Sequence, residues 1–364
     1  MLTHSARTVG LSVIPAEQPP RQPRVAVVVN ANARQVTPKA IRALSHVVPH
    51  GDLFVSHSQL NMRRIARTLL EQRYSIVFCG GGDGTFVAVV NEIFQQLEHK
   101  GAKAQLRPPR FGVLKLGTGN SLASLVRASP ARGDRMVEDV LRAKAGEAPA
   151  VRRLDLLSVE GRRTPFAGLG VDGKLLNDYV WVRSYLAKGV FKGLLTGTGG
   201  YVSAVALKTL PHYLTHSTSV ECEVINGPAS PAYRLAPDGS MLGEPVAPGA
   251  PIYRGRLMMA AAGTIPFYGF GFKMFPFAGS RRGMMHLRLG SVSTPAILAH
   301  LPALWHGRWF PKGIHDFYAQ DVAIRFEKPM PLQVGGDAEG YRREICFSVA
   351  RGQVELLDFN GAVN

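Results

Sequence analysis

Four glycines, one aspartate and one threonine separate a predicted strand from a predicted helix. Residues 80–85 have the sequence Gly-Gly-Gly-Asp-Gly-Thr, an apolar run ends at Cys79 just before them, and apolar residues at helical spacing follow from Phe86 onwards. Glycines let a backbone approach a ligand closely, and the amides at a helix N-terminus attract phosphate. A simple tight turn needs only one or two glycines, so we interpret this segment as a phosphate-binding turn.

A second glycine turn follows the next predicted strand. Residues 117–121 have the sequence Gly-Thr-Gly-Asn-Ser, come after an apolar run at 111–116 and precede a helix that begins near Leu122. Because the carboxyl ends of parallel strands meet at one edge of a sheet, we expect both turns at the same ligand crevice. The first turn is neither a Walker motif, since no Gly-Lys-Ser/Thr follows, nor the dinucleotide Gly-x-Gly-x-x-Gly pattern.

Two carboxylates in the last thirty residues have the spacing of an acid–base pair. Asp337 and Glu339 lie two residues apart, so in an extended segment they point the same way. One carboxylate can then abstract a proton while the other orients it, and we predict Asp337 as the base. The alternative is a polar turn after Gly335 and Gly336, which is a common place for aspartate.

Strands that alternate with amphipathic helices predict a parallel α/β domain over about residues 24–150, which would be Rossmann-like. Residues 25–29 are a short apolar run typical of a strand buried on both faces, and Thr37 followed by Pro38 predicts a helix start. Apolar residues at helical spacing over 62–70 predict a second helix. Such a sheet is expected to carry helices on both faces.

The remaining residues, 151–364, have short apolar runs separated by glycine, proline and Asp-Gly turns. Alternating apolar residues over 322–326 and 345–349 predict an antiparallel β-sandwich domain, whose last residues are expected to pack back on the first domain. Helical structure is expected within 174–213, and a surface loop rich in proline and glycine over 229–251.

Composition excludes several classes of protein. The chain has 364 residues, which at roughly 150 residues per domain predicts two domains. Hydrophobic residues at 46% and charged residues at 19% allow a sizeable core and exclude global disorder. The three cysteines, Cys79, Cys222 and Cys346, are too far apart to indicate a zinc site or a disulfide framework. Residues 1–23 resemble no secretory signal and are expected to be a disordered tail, and no apolar run is long enough to predict a membrane-spanning helix.

The positive charge narrows the choice of partners. Lys and Arg number 43 against 26 Asp and Glu, which gives a formal net charge of +17 and favours nucleic acid, an anionic membrane or a phosphorylated ligand. The arginines occur in scattered pairs without a nucleic-acid motif, so nucleic-acid binding is not expected. The histidines show no convincing metal-ligand pattern. Trp305, Trp309 and Phe310 stand among basic residues and fit either a membrane interface or core packing.

Taken together, the two glycine turns resemble the catalytic domain of the diacylglycerol kinase, sphingosine kinase and ceramide kinase superfamily, which is more distantly related to NAD kinases and phosphofructokinases. The resemblance extends over about residues 24–357. Its further matching positions are Asn30 after the first strand, Asp155 at the start of the second domain, Asp172 in a Gly-x-Gly-x-Asp segment, residues 268–278 with their Tyr-Gly-Phe-Gly-Phe-Lys and Pro-x-Ala, and Asp337-Ala338-Glu339.

The resemblance implies an enzyme in which ATP lies between the two domains and a lipid hydroxyl receives the γ-phosphoryl group with the help of Mg²⁺. The acceptor would be diacylglycerol, or ceramide or a sphingoid base, at a membrane surface. The implied site residues are catalytic Asp337, Glu339 and Asp83; ATP-binding Asn30, Gly81, Gly82, Asp83, Gly84, Thr85, Gly117, Thr118, Asn120 and Asp337; metal-binding Asp83 and Asp155; and substrate-binding Asp172.

Three departures from the family pattern leave alternatives open. Ser121 replaces an aspartate of many diacylglycerol kinases, and a small residue there is more usual in sphingoid-base and ceramide kinases. Ala338 replaces a glycine, and Arg282 replaces an aspartate of a second metal site found in some bacterial relatives, which is therefore not expected. The alternatives are a soluble NAD- or sugar-kinase-like enzyme and a nucleotide-binding pseudokinase. The expected location is the cytoplasm, peripheral at the inner membrane surface, and a homodimer stays open.

Overall fold

The computed structural model describes residues 23–33, 35–101, 106–117, 120–170, 219–268 and 271–361. The strands in these residues are β1 (Val25–Asn30), β2 (Leu53–Ser56), β3 (Ile76–Gly81), β4 (Arg110–Lys115), β5 (Ala150–Leu154), β6 (Leu157–Val159), β7 (Arg162–Thr164), β8 (Phe166–Gly170), β9 (Val220–Asn226), β10 (Ala232–Leu235), β11 (Met241–Val246), β12 (Pro251–Leu257), β13 (Met259–Gly263), β14 (Met285–Gly290), β15 (Ile314–Ala319), β16 (Asp321–Val334), β17 (Asp337–Val349) and β18 (Val354–Asp358). The α-helices are α1 (Pro38–Val47), α2 (Gln59–Glu71), α3 (Asp83–Lys100), α4 (Ser121–Leu125), α5 (Glu138–Lys144), α6 (Thr294–Ala299) and α7 (Leu301–Trp305).

The first sheet has six strands in the order β2-β1-β3-β4-β18-β5. Its first five strands are parallel, and β5 runs antiparallel to β18. Apolar residues of α2 and α3 share one core with one face of the sheet, and those of α1 and α5 share a second core with the other face. The predicted parallel α/β domain is therefore confirmed.

Local sequence signals explain where the first helices begin. The Thr37 hydroxyl caps α1 by accepting a hydrogen bond from the Ala40 amide at 3.2 Å, and Pro38 takes the first helical position. The Ser58 hydroxyl caps α2 in the same way, with the Asn61 amide at 3.2 Å. No helix in the described part of the chain is long and apolar enough to cross a bilayer.

The second sheet has twelve strands, and its pairings are antiparallel. The long strand β16 pairs with β9 along its first half and with β8 along its second half. The sheet therefore forks at β16, and apolar side chains from both branches, such as Val224 and Leu169, pack into one core. The predicted antiparallel β domain is confirmed.

The interpretation of residues 229–251 as a surface loop is wrong. These residues contain β10 and β11, which form an antiparallel hairpin at an edge of the second sheet. Its turn is closed by the amide of Gly239, which has a φ of 86° and donates to the carbonyl of Ala236 at 2.9 Å. An edge strand tolerates a proline such as Pro245, so proline and glycine mark the turn and edge of a hairpin here. The predicted tail, apart from Pro23 at its end, and the helical stretch at 174–213 lie outside the described residues.

The second domain docks on α3 through its β6–β7 hairpin. The side-chain amide of Asn91 accepts from the Arg163 N–H and donates to the Arg163 carbonyl, both at 2.8 Å. The Arg163 guanidinium pairs with Glu98 at 2.7 Å and lies 4.3 Å above the ring of Phe94. The helix that follows the first glycine turn is therefore also the support on which the second domain rests.

Candidate active site

The two glycine turns, residues 80–85 and 117–121, meet at the carboxyl edge of the first sheet, and we call them together the glycine edge. Gly82 is the N-cap of α3, which directly follows β3. A Cβ atom on Gly117 would overlap the Cα and N atoms of Gly82. The turns therefore touch at a separation that only glycine permits at this position.

The first turn of α3 is accessible, since Gly84 is exposed and Gly82 and Asp83 are half-buried. The Gly82 carbonyl accepts hydrogen bonds from the Thr85 amide at 3.0 Å and the Phe86 amide at 3.4 Å. The amides of Asp83 and Gly84 belong to the first helical turn, where no intrahelical acceptor exists. A Cβ atom on Gly84 would meet no other atom within 4 Å. These two amides, at the positive end of a long helix, fit a phosphate group.

The second turn supports the first. The Gly117 amide donates to Oδ1 of Asn120 at 3.0 Å, and Nδ2 of Asn120 donates back to the Gly117 carbonyl at 2.9 Å. Nε2 of Gln35 reaches the same carbonyl at 3.0 Å, a contact that the sequence pattern did not indicate. Since its amide is already engaged, Gly117 holds the turn in this structure. Direct contact of Gly117 or Asn120 with a nucleotide stays a prediction, and Thr118 lies outside the described residues.

Asp83 joins the two turns through its carboxylate. Oδ2 accepts from the Ser121 amide at 2.9 Å, and Oδ1 accepts from the Leu122 amide at 3.0 Å, so Asp83 caps α4. Burial raises the pKa of this carboxyl, and the two amides partly oppose that rise. A metal ion at Asp83 would contact only the remaining lone pairs of oxygens that already accept hydrogen bonds.

Asn30 and Thr85, both predicted to bind ATP, contact each other. Nδ2 of Asn30 donates to Oγ1 of Thr85 at 3.3 Å, while Oδ1 of Asn30 accepts from the Asn32 amide at 3.0 Å. Thr85 is buried, and its side chain occupies the space that a Cβ atom on Gly81 would need. These contacts hold the first glycine turn in its conformation.

Asp155, the other predicted metal ligand, has different neighbours. Its Oδ2 accepts from the Gly283 amide at 2.8 Å, and its Oδ1 accepts from Nε2 of Gln353 at 2.7 Å. None of its described contacts joins it to Asp83. Within the described ranges there is no group of three or more His, Cys, Asp or Glu side chains that could hold a metal ion. Metal binding by Asp83 and by Asp155 stays a prediction, and Asp172 lies outside the described residues.

Residues 335–339 form the tip and first strand residues of a β16–β17 hairpin, which we call the carboxylate hairpin. Gly335 and Gly336, with φ values of 62° and 92°, make its two-residue turn. A Cβ atom on Gly335 would lie 3.8 Å from Cγ2 of Val87, which is one helical turn after Asp83. The hairpin turn is held by the Gly335 amide, which donates to the Phe166 carbonyl at 2.9 Å, and it lies near the second turn of α3.

The two carboxylates of this hairpin are not equivalent. Glu339 forms an ion pair with Arg162 of β7, whereas Asp337 has no ion-pair partner in the described part of the chain. Desolvation by the neighbouring protein atoms raises the pKa of Asp337 although its side chain is exposed, Arg162 opposes the rise and Glu339 adds to it. A raised pKa suits a carboxylate that accepts a proton during catalysis. Arg162 was not predicted as a site residue, because its position 177 residues before Glu339 carries no local signal.

Residues 24–152 match the family model of the diacylglycerol kinase catalytic domain. This segment belongs to the diacylglycerol kinase catalytic-domain superfamily. The match includes the whole glycine edge, so the resemblance inferred from the two turns is confirmed. The superfamily supports a kinase, that is, a phosphotransferase, and implies the use of ATP. No curated protein matches the chain.

Two solved structures from Bacillus anthracis str. Sterne share the fold over both domains. One is provisionally named a diacylglycerol kinase; it superposes with a TM-score of 0.59 at 16% sequence identity, covering 93% of this chain and 98% of that one. The other is named a diacylglycerol kinase and gives a TM-score of 0.56 at 15% identity, covering 94% of this chain and 98% of that one. At these identities the likeness shows the two-domain fold of the superfamily members and nothing about the acceptor.

Proposed function

We propose that the protein is an ATP- and Mg²⁺-dependent lipid kinase that transfers the γ-phosphoryl group to the hydroxyl of diacylglycerol, ceramide or a sphingoid base. One observation carries the proposal. The turn of the hairpin with Asp337 approaches Val87 of α3, one helical turn after Asp83, and a Cβ atom on Gly84 at the start of α3 would meet no other atom within 4 Å. A phosphate-binding turn and a proton-accepting carboxylate thus stand at one place on rigid elements.

The residues at this place can perform phosphoryl transfer without forming a covalent intermediate. Phosphoryl transfer depends mainly on positioning and on neutralising charge, and the α3 amides supply both for phosphate oxygens. Asp337 accepts the proton of the attacking hydroxyl; desolvation raises its pKa, and the charges of Arg162 and Glu339 modify that rise in opposite directions. When bound, Mg²⁺ would neutralise charge on the phosphates, with Asp83 as the protein group that holds its water shell.

A lipid acceptor and an anionic membrane are supported by one surface of the second domain. Residues 245–315 are 71 consecutive positions without Asp or Glu, and five of their eight Lys and Arg remain after Arg288, buried against Asp316, and Arg254 and Arg256, paired with Glu223 and Glu221, are set aside. Exposed Lys273 and Arg308 flank Trp305, which is 38% exposed and stacks on Phe272 with ring centroids 5.4 Å apart. Amphipathic rings and basic groups favour anionic headgroups. We therefore assign the positive charge to the membrane and not to nucleic acid, and propose action at the cytoplasmic face of the inner membrane.

The test is transfer of labelled phosphate from ATP, with Mg²⁺, into vesicles that contain diacylglycerol, ceramide or sphingosine separately. We expect label in one lipid, dependent on Mg²⁺. Asp337→Asn should abolish transfer and preserve ATP binding. Asp238→Asn is the matched control, because Asp238 is an exposed residue of the β10–β11 turn whose carboxylate contacts only Ser240 there. Full activity of Asp337→Asn would contradict its role as the base.

A nucleotide-binding pseudokinase is the second candidate. Ser121 supplies no carboxylate beside Asp83, and Glu339 is engaged by Arg162, so few free carboxylates remain near the open amides. The same assay separates the two proposals. ATP binding without label in any lipid, and without ATP turnover on addition of soluble alcohols, would favour the pseudokinase.

A further inference from the structure

Four residues lie side by side across the carboxyl edge of the first sheet. Asn30 of β1 is in register with Ser56 of β2, and Gly81 of β3 is in register with Lys115 of β4. The parallel register of β1 and β3 sets Asn30 beside Gly81. Lys115 is therefore the only cationic residue among these four, which lie where the strands end next to the glycine edge.

The face on which Lys115 lies follows from the alternation of side chains along β4. Phe111 and Val113 belong to the core shared with α2 and α3. Leu114 belongs to the core on the opposite face, shared with α1 and α5. Lys115 is two residues after Val113, so it emerges on the α3 face. Its register partner Gly81 has no side chain, and the Thr85 side chain of the first turn of α3 occupies the space beside Gly81.

The charge of Lys115 has no counterion in the described part of the chain. The residue is half-buried, and no carboxylate of the described residues lies within ion-pair distance of it. The carboxylate of Asp83 is turned to the amides of Ser121 and Leu122. The ammonium group of Lys115 is therefore available to an anionic ligand bound beside the first turn of α3.

We infer that Lys115 binds a phosphate group of the nucleotide, beside the amides of Asp83 and Gly84. The inference rests on the proposed nucleotide-binding function and adds a residue that neither the glycine motifs nor the superfamily match identifies. A lysine ammonium is a compact point charge that suits phosphate oxygens. The same chemistry would accept inorganic polyphosphate, so the experiment must separate the two sources.

The test is calorimetric binding of ATP, ADP, AMP and adenosine to the full chain at fixed low salt. Lys115→Met should weaken ATP binding by about tenfold to a hundredfold, the range for loss of a charge-assisted hydrogen bond, and leave adenosine binding unchanged. Lys115→Arg should retain most of the ATP affinity. The shortest ligand affected by Lys115→Met identifies the phosphate that Lys115 contacts. Equal ATP affinity in Lys115→Met, or an equal loss for adenosine, would overturn the inference.

Two further measurements keep the outcome decisive. Lys100→Met is the control for charge, because Lys100 lies at the far end of α3, 3.7 Å from Glu71, and should keep wild-type affinity. Thermal unfolding of each variant reports whether the fold is intact. If the wild type binds tripolyphosphate but no nucleotide, and Lys115→Met loses that binding, the nucleotide proposal fails while Lys115 remains a phosphate ligand. If the wild type binds neither, both fail.

Discussion

The glycine edge and the carboxylate hairpin both lie near the N-terminal part of α3, but they offer a ligand different kinds of groups. At the glycine edge the groups offered to a ligand are backbone amides, and the side chains of Asn30, Asp83 and Asn120 hold the backbone in place. At the carboxylate hairpin the offered group is the side chain of Asp337, and the charge of Arg162 tunes it. Ligand binding at the glycine edge should therefore be sensitive to added side-chain volume, and proton transfer at the carboxylate hairpin should be sensitive to changes of charge.

The largest expected effect is a change of volume at the glycine edge. Gly117→Ala places a Cβ atom onto the backbone of Gly82, so the two turns must separate. We expect a loss of about 3 kcal/mol in the free energy of unfolding, together with loss of ATP binding, measured by urea titration and calorimetry. Gly84→Ala is the control, because its Cβ atom meets open space and should change stability by less than about 1 kcal/mol. A Gly117→Ala protein with normal stability and affinity would show that the turns need not touch.

The next effect is a pair of opposite shifts at the carboxylate hairpin. Arg162 lowers the pKa of Asp337 and Glu339 raises it. Because a base must be deprotonated, Arg162→Gln should move the acid limb of the pH–rate profile to higher pH, and Glu339→Gln should move it to lower pH by less. Shifts in the same direction in both variants would mean that Asp337 is not the group that titrates.

A smaller effect is expected at the contact between the two domains, where Asn91 of α3 meets Arg163 of β7. Asn91→Leu removes the hydrogen bonds to Arg163 and should reduce the free energy of unfolding by about 2 kcal/mol. ATP binding should persist, since the glycine edge is intact, while the rate of transfer falls because the hairpin is less firmly positioned. Equal losses of ATP binding and of phosphate transfer would show that the glycine edge and the carboxylate hairpin do not act independently.

The smallest effect is expected from the ion pair at the same contact. Glu98 is 65% exposed in its pair with Arg163, so Glu98→Gln should change the free energy of unfolding by less than about 1 kcal/mol and leave transfer unchanged. Comparison with Asn91→Leu in one thermal-unfolding series tests this. A larger effect for Glu98→Gln would mean that charge, and not hydrogen bonding, holds the domains together.

Sequence alone predicted the two halves of the site unequally. The glycine edge was predicted because its signals are local: apolar runs, glycines and helix starts lie within a few residues of one another. The pairing of Glu339 with Arg162 was not, because contacts between distant strands leave no spacing pattern. The same limit hid the support that Gln35 gives to Gly117 and the register that sets Lys115 beside Gly81. The hairpin within 229–251 was missed because proline and glycine also occur at the turns and edges of strands.

The position of β18 has a consequence for biosynthesis. This strand, residues Val354–Asp358, lies between β4 and β5, so the nucleotide half of the molecule is completed by residues that a ribosome makes after the whole second domain. A nascent chain that has not yet reached Val354 carries β4 with an unpaired, apolar edge, which is a hazard for aggregation. Contacts over such sequence distances also slow folding. The first domain is therefore expected to reach a protease-resistant state only after β18 has been made and has left the ribosome, and a fragment that stops at residue 152 should stay protease-sensitive.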